Sequence, residues 1–502
     1  MTPLFLPRDV RAMDERAFGR GVASLDLMER AAGHLARAVV DVAGRGYGLR
    51  VGVLCGKGNN GGDGVAAARR LRALGAMATV RLVDGEDGLS DDGRVQLDRW
   101  RALGGSVAPS AGAALEGADV AVDCLLGTGA TGKPRGPYAA AVRALNAAPV
   151  PVVACDVPTG VDAETGRVPG EAVRADVTVT LGAHKLGLWL WPARGHAGRL
   201  VLGDLGIVDD GDRAAAHVLD RADAAALVPP AGADSHKRSR GVVAVLAGAP
   251  GMTGAATMTA RGAMAAGAGL VTVITPATAR HQIAPSVPEA LTVDLPEDPD
   301  AAFAAVAEQA ERADVLAVGP GLGLAGATQA LVRRVVAEVG VAIVLDADGL
   351  NAFRDAGDEL ASHAAPLLVL TPHAKELGRL VGGSGHEVWG RRVELVRELA
   401  ARWDAVLVAK GPGSLVGAPD GRLWVNQPGG AALATGGTGD VLTGITAALI
   451  ARHPDPQRVA AAVHLHGLAG EEAAAASHPR SVTALDVVRA VPAALRRLDA
   501  AR

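Results

Sequence analysis

Asp440 directly follows the run Gly436-Gly437-Thr438-Gly439, and an apolar, helix-compatible stretch, Val441 to Ile450, comes after it. Glycines let the backbone fold tightly and turn its N–H groups outward. Where such a loop opens a helix, free N–H donors and the positive end of the helix dipole make a phosphate site. A carboxylate in that first turn repels phosphate. Asp440 is better suited to taking the proton from a hydroxyl that is being phosphorylated. The competing reading is a Gly-rich turn with Asp as its cap. Other polar groups in the same half of the chain favour the first reading. They are Gly319-Pro320-Gly321-Leu322-Gly323, the carboxylates Asp346 and Asp348, Thr371-Pro372-His373 with Glu376, and Lys410-Gly411-Pro412-Gly413-Ser414. A lysine on flexible backbone in the last of these suits a nucleotide phosphate. His464 and His466 stand two apart on an expected helix, face different sides, and read as packing residues.

The first half carries a second set. Gly56-Lys57-Gly58-Asn59-Asn60-Gly61-Gly62-Asp63-Gly64 and Gly127-Thr128-Gly129 let backbone approach a phosphate closely. Lys133 and Arg135 follow and can pair with its charge. Asn60, Asp123 and Thr159 supply an amide oxygen, a carboxylate and a hydroxyl, which suit a hard cation. Asp156, in Asp156-Val157-Pro158-Thr159-Gly160, is a candidate general base.

These residues need elements to bring them together. Each first-half loop follows a short apolar run: Arg50 to Cys55, Val120 to Leu126, and Val150 to Cys155. Expected helices lie at Asp9–Gly19, at Leu25–Ala43 with Ser24 as N-cap, and at Val65–Leu74. Continuous apolar strands alternating with helices indicate a parallel sheet covered on both faces, with ligands beyond the carboxyl ends of its strands. Strand signals recur at Val242–Leu246, Val271–Ile274, Val315–Val318, Ala342–Leu345, Leu367–Leu370 and Ala405–Ala409, with helices such as Ala301–Arg312 and Thr328–Val339 between them. The pattern weakens after Ile207, at the acidic Asp209-Asp210-Gly211-Asp212 and the Pro-Pro of 229–230.

At 502 residues more than one domain is expected. A net charge of −4 without a basic block, and only 2% aromatics, argue against a nucleic-acid binder. No apolar run is long enough for a bilayer, so no membrane partner is expected. Three cysteines, all in the first third, make no secreted disulfide framework. The expected setting is cytoplasmic.

Residues 1 to about 207 resemble the NAD(P)H-hydrate epimerase domain, on Leu27-Met28-Glu29-Arg30-Ala31, Gly58-Asn59-Asn60-Gly61-Gly62-Asp63-Gly64, Asp123 with Gly127-Thr128-Gly129, Asp156 to Gly160, and Lys185. From Ser235-His236-Lys237 onward the chain resembles the ribokinase-like NAD(P)H-hydrate dehydratases, on Gly254-Ala255-Ala256, Asp346 to Asn351, Thr371-Pro372-His373, Lys410-Gly411, Gly436 to Asp440 and His466 to Gly470. The whole is similar to the bifunctional NAD(P)H-hydrate repair enzymes.

That resemblance implies an N-terminal Rossmann-like three-layer α/β/α sandwich and a C-terminal ribokinase-like α/β domain, laid out as 1–210, a linker 211–221, and 222–502. It implies epimerisation at C6 of hydrated NADH or NADPH, then ADP-dependent dehydration of the S hydrate with release of AMP and phosphate. In the first domain Asn59, Asn60, Gly61, Gly62, Asp63, Gly127, Thr128, Gly129, Ala130, Thr131, Gly132, Lys133, Tyr138 and Asp156 would hold the dinucleotide. Asn60, Asp123 and Thr159 would bind potassium; Thr159 keeps the hydroxyl where the family usually has Ser. In the second domain Ala255, Gly321, His373 and Asp440 would contact the hydrate, and Lys410, Gly411, Pro412, Gly413, Ser414 and Gly439 the nucleotide. Phosphoryl transfer implies magnesium. Asp440 and Asp156 are the expected catalytic residues, and a homo-oligomer is the expected assembly. The alternative is a ribokinase-like small-molecule kinase carrying a non-catalytic N-terminal binding module.

Overall fold

The structure, a computed structural model, describes residues 1–209 and 211–502. Asp210, part of the acidic run noted above, lies outside the described residues. The chain divides into two compact units, Pro3–Ala216 and Met1–Thr2 with His217–Arg502. The stretch 211–221, expected as a linker, holds a strand, Ala216–Val218, and Asp220, the N-cap of a helix at Arg221–Leu227.

In chain order the strands of the first unit, after a short N-terminal β1 (Thr2–Leu4), are β2 (Arg50–Cys55), β3 (Met77–Leu82), β4 (Val120–Cys124), β5 (Val152–Cys155), β6 (Val177–Leu181) and β7 (Arg199–Gly203). They form a six-stranded sheet in the order β3-β2-β4-β5-β6-β7, parallel throughout. The inner strands β4, β5 and β6 are buried along their whole length, as two-sided covering by helices requires. The sheet's order switches direction at β2 and β4, which puts the ligand crevice at their carboxyl ends. Cys55, Cys124 and Cys155 end β2, β4 and β5 directly beneath that crevice, and all three are fully buried.

Three helices complete the crevice: α1 (Pro7–Gly19), α2 (Ser24–Ala43) and α3 (Asn59–Ala73). Two expectations are corrected here. Ser24 is the first residue of α2, not its cap; Ala23 holds that position and no side chain caps it. Helix α3 begins at Asn59, not Val65, so residues 59–64 are its first turns and only 56–58 are loop. The glycines explain this: a Cβ on Gly61 would lie 1.9 Å from the Gly56 carbonyl oxygen, so only glycine lets the helix start this close to the strand.

The second unit is built on an eleven-stranded sheet. Besides the N-terminal β1, its strands are β8 (Ala216–Val218), β9 (Val242–Leu246), β10 (Leu270–Pro276), β11 (Leu291–Leu295), β12 (Val315–Val318), β13 (Ala342–Leu345), β14 (Leu368–Leu370), β15 (Ala405–Ala409), β16 (Leu415–Gly417) and β17 (Leu423–Val425). The order is β1-β8-β17-β16-β15-β14-β13-β12-β9-β10-β11. The run from β11 to β15 is parallel, and β16 and β17 add antiparallel neighbours. One face is covered by the helices Thr253–Ala265 and Thr438–Ile450, which come together backbone to backbone at Gly262 and Gly444. A Cβ on Gly444 would lie 2.1 Å from the Thr259 carbonyl oxygen, and one on Gly262 2.6 Å from that of Val441. This close crossing fixes the N-terminal turn of the helix that carries Asp440.

Candidate functional site

In the first unit a cavity of about 140 Å³ opens at the strand ends. Its chemistry comes from Asp156, Lys185, Asp63 and Asp14, with Asn59 and Thr128 beside them. Asp156 follows β5 with φ +65°, a backbone region few residues other than glycine adopt. That turn aims its carboxylate back over the sheet. Oδ1 accepts from Lys185 Nζ at 2.5 Å and from the Leu181 N–H at 3.2 Å, and Oδ2 from the Thr128 N–H at 3.4 Å. Lys185 is 1% exposed and also donates to the Leu181 carbonyl. Burial pushes the Asp63 carboxyl well above the ordinary range, reinforced by the charges of Asp156 and Asp14. Asp14 is raised by burial and by Asp156, with Lys185 acting in the opposite direction.

Asp123 and Thr159 form a buried pair at the neighbouring strand end. Thr159 donates its N–H to Oδ2 and its hydroxyl to Oδ1, both at 2.8 Å. Burial lifts Asp123 to about 6, held back by these bonds and by the Leu125 N–H. The amide oxygen and nitrogen of Asn60 are buried without a hydrogen-bond partner. Asn60 and Asp156 both border Gly127: a Cβ there would sit 3.5 Å from the Asn60 amide carbon and 3.4 Å from Asp156 Oδ2. Tyr138 stands apart from the cavity lining. Its hydroxyl donates to Asp84 and accepts from the Lys57 N–H at 3.3 Å, and burial followed by Asp84 pushes it up to about 12.

In the second unit the groups gather at the ends of β12 to β15. Asp346 is 1% exposed; its Oδ1 accepts from Lys410 Nζ at 2.6 Å and its Oδ2 from the Thr443 hydroxyl at 2.7 Å. Lys410 also lies 3.9 Å from Glu376 Oε2. Burial opposes its charge, but Asp346 and Glu376 outweigh this and hold its pKa above the ordinary lysine value. A Cβ on Gly439 would lie 3.4 Å from that ammonium, so the glycine loop and the lysine face each other. Asp440 occupies the first turn of its helix, after Gly437 in the left-handed conformation. Burial, then the charges of Asp346, Asp348 and Glu376, raise Asp440 to about 7, with Lys410 opposing.

The proposed hydrate contacts Ala255 and Gly321 are neighbours: a Cβ on Gly321 would lie 3.0 Å from that of Ala255. His373 caps the helix Ala374–Leu380, its Nδ1 accepting from the Glu376 N–H, and its ring is half-exposed. Residues 410–414 close on themselves through the Ser414 hydroxyl, which donates to the Gly411 carbonyl at 3.0 Å. His464 and His466 are buried, at 4% and 7% exposure.

Sequence reasoning singled out Asp346 and Lys410 but missed Asp14 and Thr443, the hydroxyl that completes the Asp346–Lys410–Thr443 triad. A signal for Asp14 was present. Val10, Asp14 and Phe18 stand four apart, so the carboxyl interrupts an otherwise apolar stripe of α1.

Two α/β units, each with a phosphate-type glycine turn and a buried carboxylate–lysine pair at its strand ends, define a two-site enzyme acting on nucleotide-like molecules. A family described as YjeF-related protein N-terminus matches residues 24–187, and one described as NAD(P)H-hydrate dehydratase matches 243–493. Relatives named bifunctional NAD(P)H-hydrate repair enzyme include those of Moorella thermoacetica, 37% identical over 95% of this chain and 93% of the relative, and of Salinibacter ruber, 40% identical over 94% and 92%. A ribokinase-like superfamily protein from Enterococcus faecalis is 26% identical, with 58% of this chain and 99% of that one covered and a TM-score of 0.51. The chain belongs to the bifunctional NAD(P)H-hydrate repair enzymes.

Proposed function

We propose that the chain returns hydrated NADH and NADPH to the intact dinucleotides. The first unit interconverts the two epimers at C6. The second uses ADP to dehydrate the S epimer, releasing AMP and phosphate. The observation that carries this reading is Asp440, a carboxylate with its pKa near 7, held in the first turn of a helix beside a glycine loop and a lysine.

A hydroxyl at C6 is a poor leaving group, and a phosphate ester there is a good one. Asp440 takes the hydroxyl proton as the oxygen attacks the terminal phosphoryl group. The N–H groups of 436–439 and Lys410 stabilise charge on that group in transit. The ring nitrogen lone pair then expels phosphate, and loss of a proton from C5 to solvent restores the C5–C6 double bond of the intact ring. Lys410, Gly411, Pro412, Gly413, Ser414 and Gly439 hold the nucleotide; Ala255, Gly321 and His373 hold the hydrate.

Among the described residues no three His, Cys, Asp or Glu side chains are grouped to hold a metal ion. Magnesium on a nucleotide needs only one or two carboxylates besides the phosphates; Asp348, whose charge acts on Asp440, would be one such carboxylate, whereas Glu376 is engaged by the His373 N–H and faces Lys410. Bound there, the ion would neutralise phosphate charge. In the first unit the partnerless Asn60 amide, with Asp123 and Thr159, is an oxygen donor set that fits potassium, which would hold the strand-end loops in place. Asp156 moves the proton during epimerisation, oriented by Lys185.

The test is a mixed-epimer NADH hydrate incubated with and without ADP while nicotinamide absorbance is followed. Full return with ADP and none without it is expected. Equal return in both, or a stable phosphorylated product, overturns the reading.

A further inference from the structure

Where epimerisation at C6 goes by loss of the oxygen from one face of the ring and its return on the other, one group gives a proton while another takes one. In the Asp156–Lys185 pair the ammonium is already bound to Asp156 and to the Leu181 carbonyl, which leaves the donor to be found elsewhere in the cavity. The cavity of the first unit holds more carboxyls than the proposed function uses. Asp14 lines it from α1, an element separate from the strand-end loops that carry Asp156 and Thr128. It sits within an apolar stripe with Val10 and Phe18, where a carboxyl contributes nothing to packing. The charged groups that act on it are Lys185, Asp156 and its chain neighbour Glu15, and Asp63 senses it in turn.

We propose that Asp14 is a second catalytic residue of the first unit, a proton donor reaching the C6 hydroxyl from α1 in the same cavity as the Asp156–Lys185 pair. This rests on the epimerase reading of that unit. Its half-buried position and the neighbouring Asp156 carboxylate favour the protonated form. Asp156 is fixed by a lysine and two backbone N–H groups and is the acceptor. The Asp14 carboxyl gives its proton to the C6 hydroxyl. The C6–O bond breaks, water leaves, and the ring nitrogen lone pair forms a C6–N double bond. Water adds to the opposite face, the new C6–O bond forms, and its surplus proton passes to Asp156. The two carboxyls have then exchanged roles, and either exchange with solvent or the reverse reaction resets them.

The experiment uses the full chain and one purified epimer, without nucleotide, and follows appearance of the other. Asp14→Asn should lower kcat about 10²–10⁴-fold, while KM stays near the parent value because the amide fills the same space. Asp14→Ala should lose a similar amount, and added formate, small enough for the vacated position, should return part of the rate in proportion to its concentration. Parent-like kcat in the Asn variant overturns the proposal, as does a change in KM with kcat intact, which would make Asp14 a binding contact. An Ala variant that melts well below the parent, loses activity and ignores formate, with an Asn variant that keeps its activity, marks a structural role and also overturns it. If the parent chain does not interconvert the epimers, the epimerase reading itself fails and the proposal falls with it; the variant outcomes matter only where the parent is active.

Discussion

Asp440 combines a catalytic demand with a cost to stability. Its pKa of about 7 reflects burial and a ring of like charges. The native state therefore binds a proton more readily than the unfolded chain, whose Asp titrates at about 4. Ionising Asp440 costs stability increasingly as pH rises from about 4 through 7, and the cost is fully present above that. Asp440→Asn should accordingly lose dehydration by about 10²–10⁴-fold yet keep nucleotide binding, and at pH 8 it should melt above the parent. A variant that turns over normally removes Asp440 from the base role; calorimetry at pH 4 and pH 8 checks the stability sign. For the parent, dehydration limited by the chemical step should rise with pH through about 7, since the base acts as carboxylate. In the first unit two aspartates separate by role. Asp156→Ala should abolish epimerisation while leaving dinucleotide binding largely intact. Asp123→Ala should weaken binding and loosen the loops, because Asp123 holds Thr159 through two bonds of 2.8 Å. Single-epimer interconversion and dinucleotide titration in potassium-containing buffer distinguish the two, and parent-like epimerisation by Asp156→Ala counts against its proton-transfer role.

At the scale of elements, the crossing of Thr253–Ala265 and Thr438–Ile450 positions one site from two distant parts of the chain. Gly444→Val puts branched carbon where even a Cβ would meet the Thr259 carbonyl oxygen at 2.1 Å. It should destabilise by about 1–3 kcal/mol through overpacking and lower dehydration while epimerisation is unchanged. Melting temperature and the two separate assays check this. These elements also show what sequence reveals. All six strand signals of the second half, Val242–Leu246 to Ala405–Ala409, coincide with observed strands, because buried parallel strands are continuous apolar runs. The missed strands lack that property. β3 reads Met77-Ala78-Thr79-Val80-Arg81-Leu82 with one side at the edge of the sheet, and β16 and β17 have three residues each. Asp440, Lys410 and Asp156 were legible because glycine turns mark strand ends. Thr443 was not, because it lies inside a helix and reaches its site only through packing that links residues far apart in sequence; Asp14, also inside a helix, was marked only by its break in an apolar stripe.

For the whole molecule, the division at Ala216 and His217 predicts separable activities. A fragment beginning at residue 217 should convert the S epimer with ADP at a rate comparable to the full chain and leave the R epimer untouched. A folded fragment with no turnover would contradict two independent sites. The cysteines ending β2, β4 and β5 carry another consequence. The chain has three, at 55, 124 and 155, all in the first unit and all fully buried, and burial raises the thiol pKa of each. A maleimide or iodoacetamide should therefore leave the native chain untouched. As denaturant opens the first unit, the reagent should add to all three sulfurs together, because they share one patch of core beneath the crevice. Intact mass against urea concentration thus follows one half of the protein without an added label, while ADP-dependent turnover follows the other. If dehydration persists in molecules already carrying three adducts, the two halves unfold as independent bodies; if it disappears in step with labelling, they unfold as one.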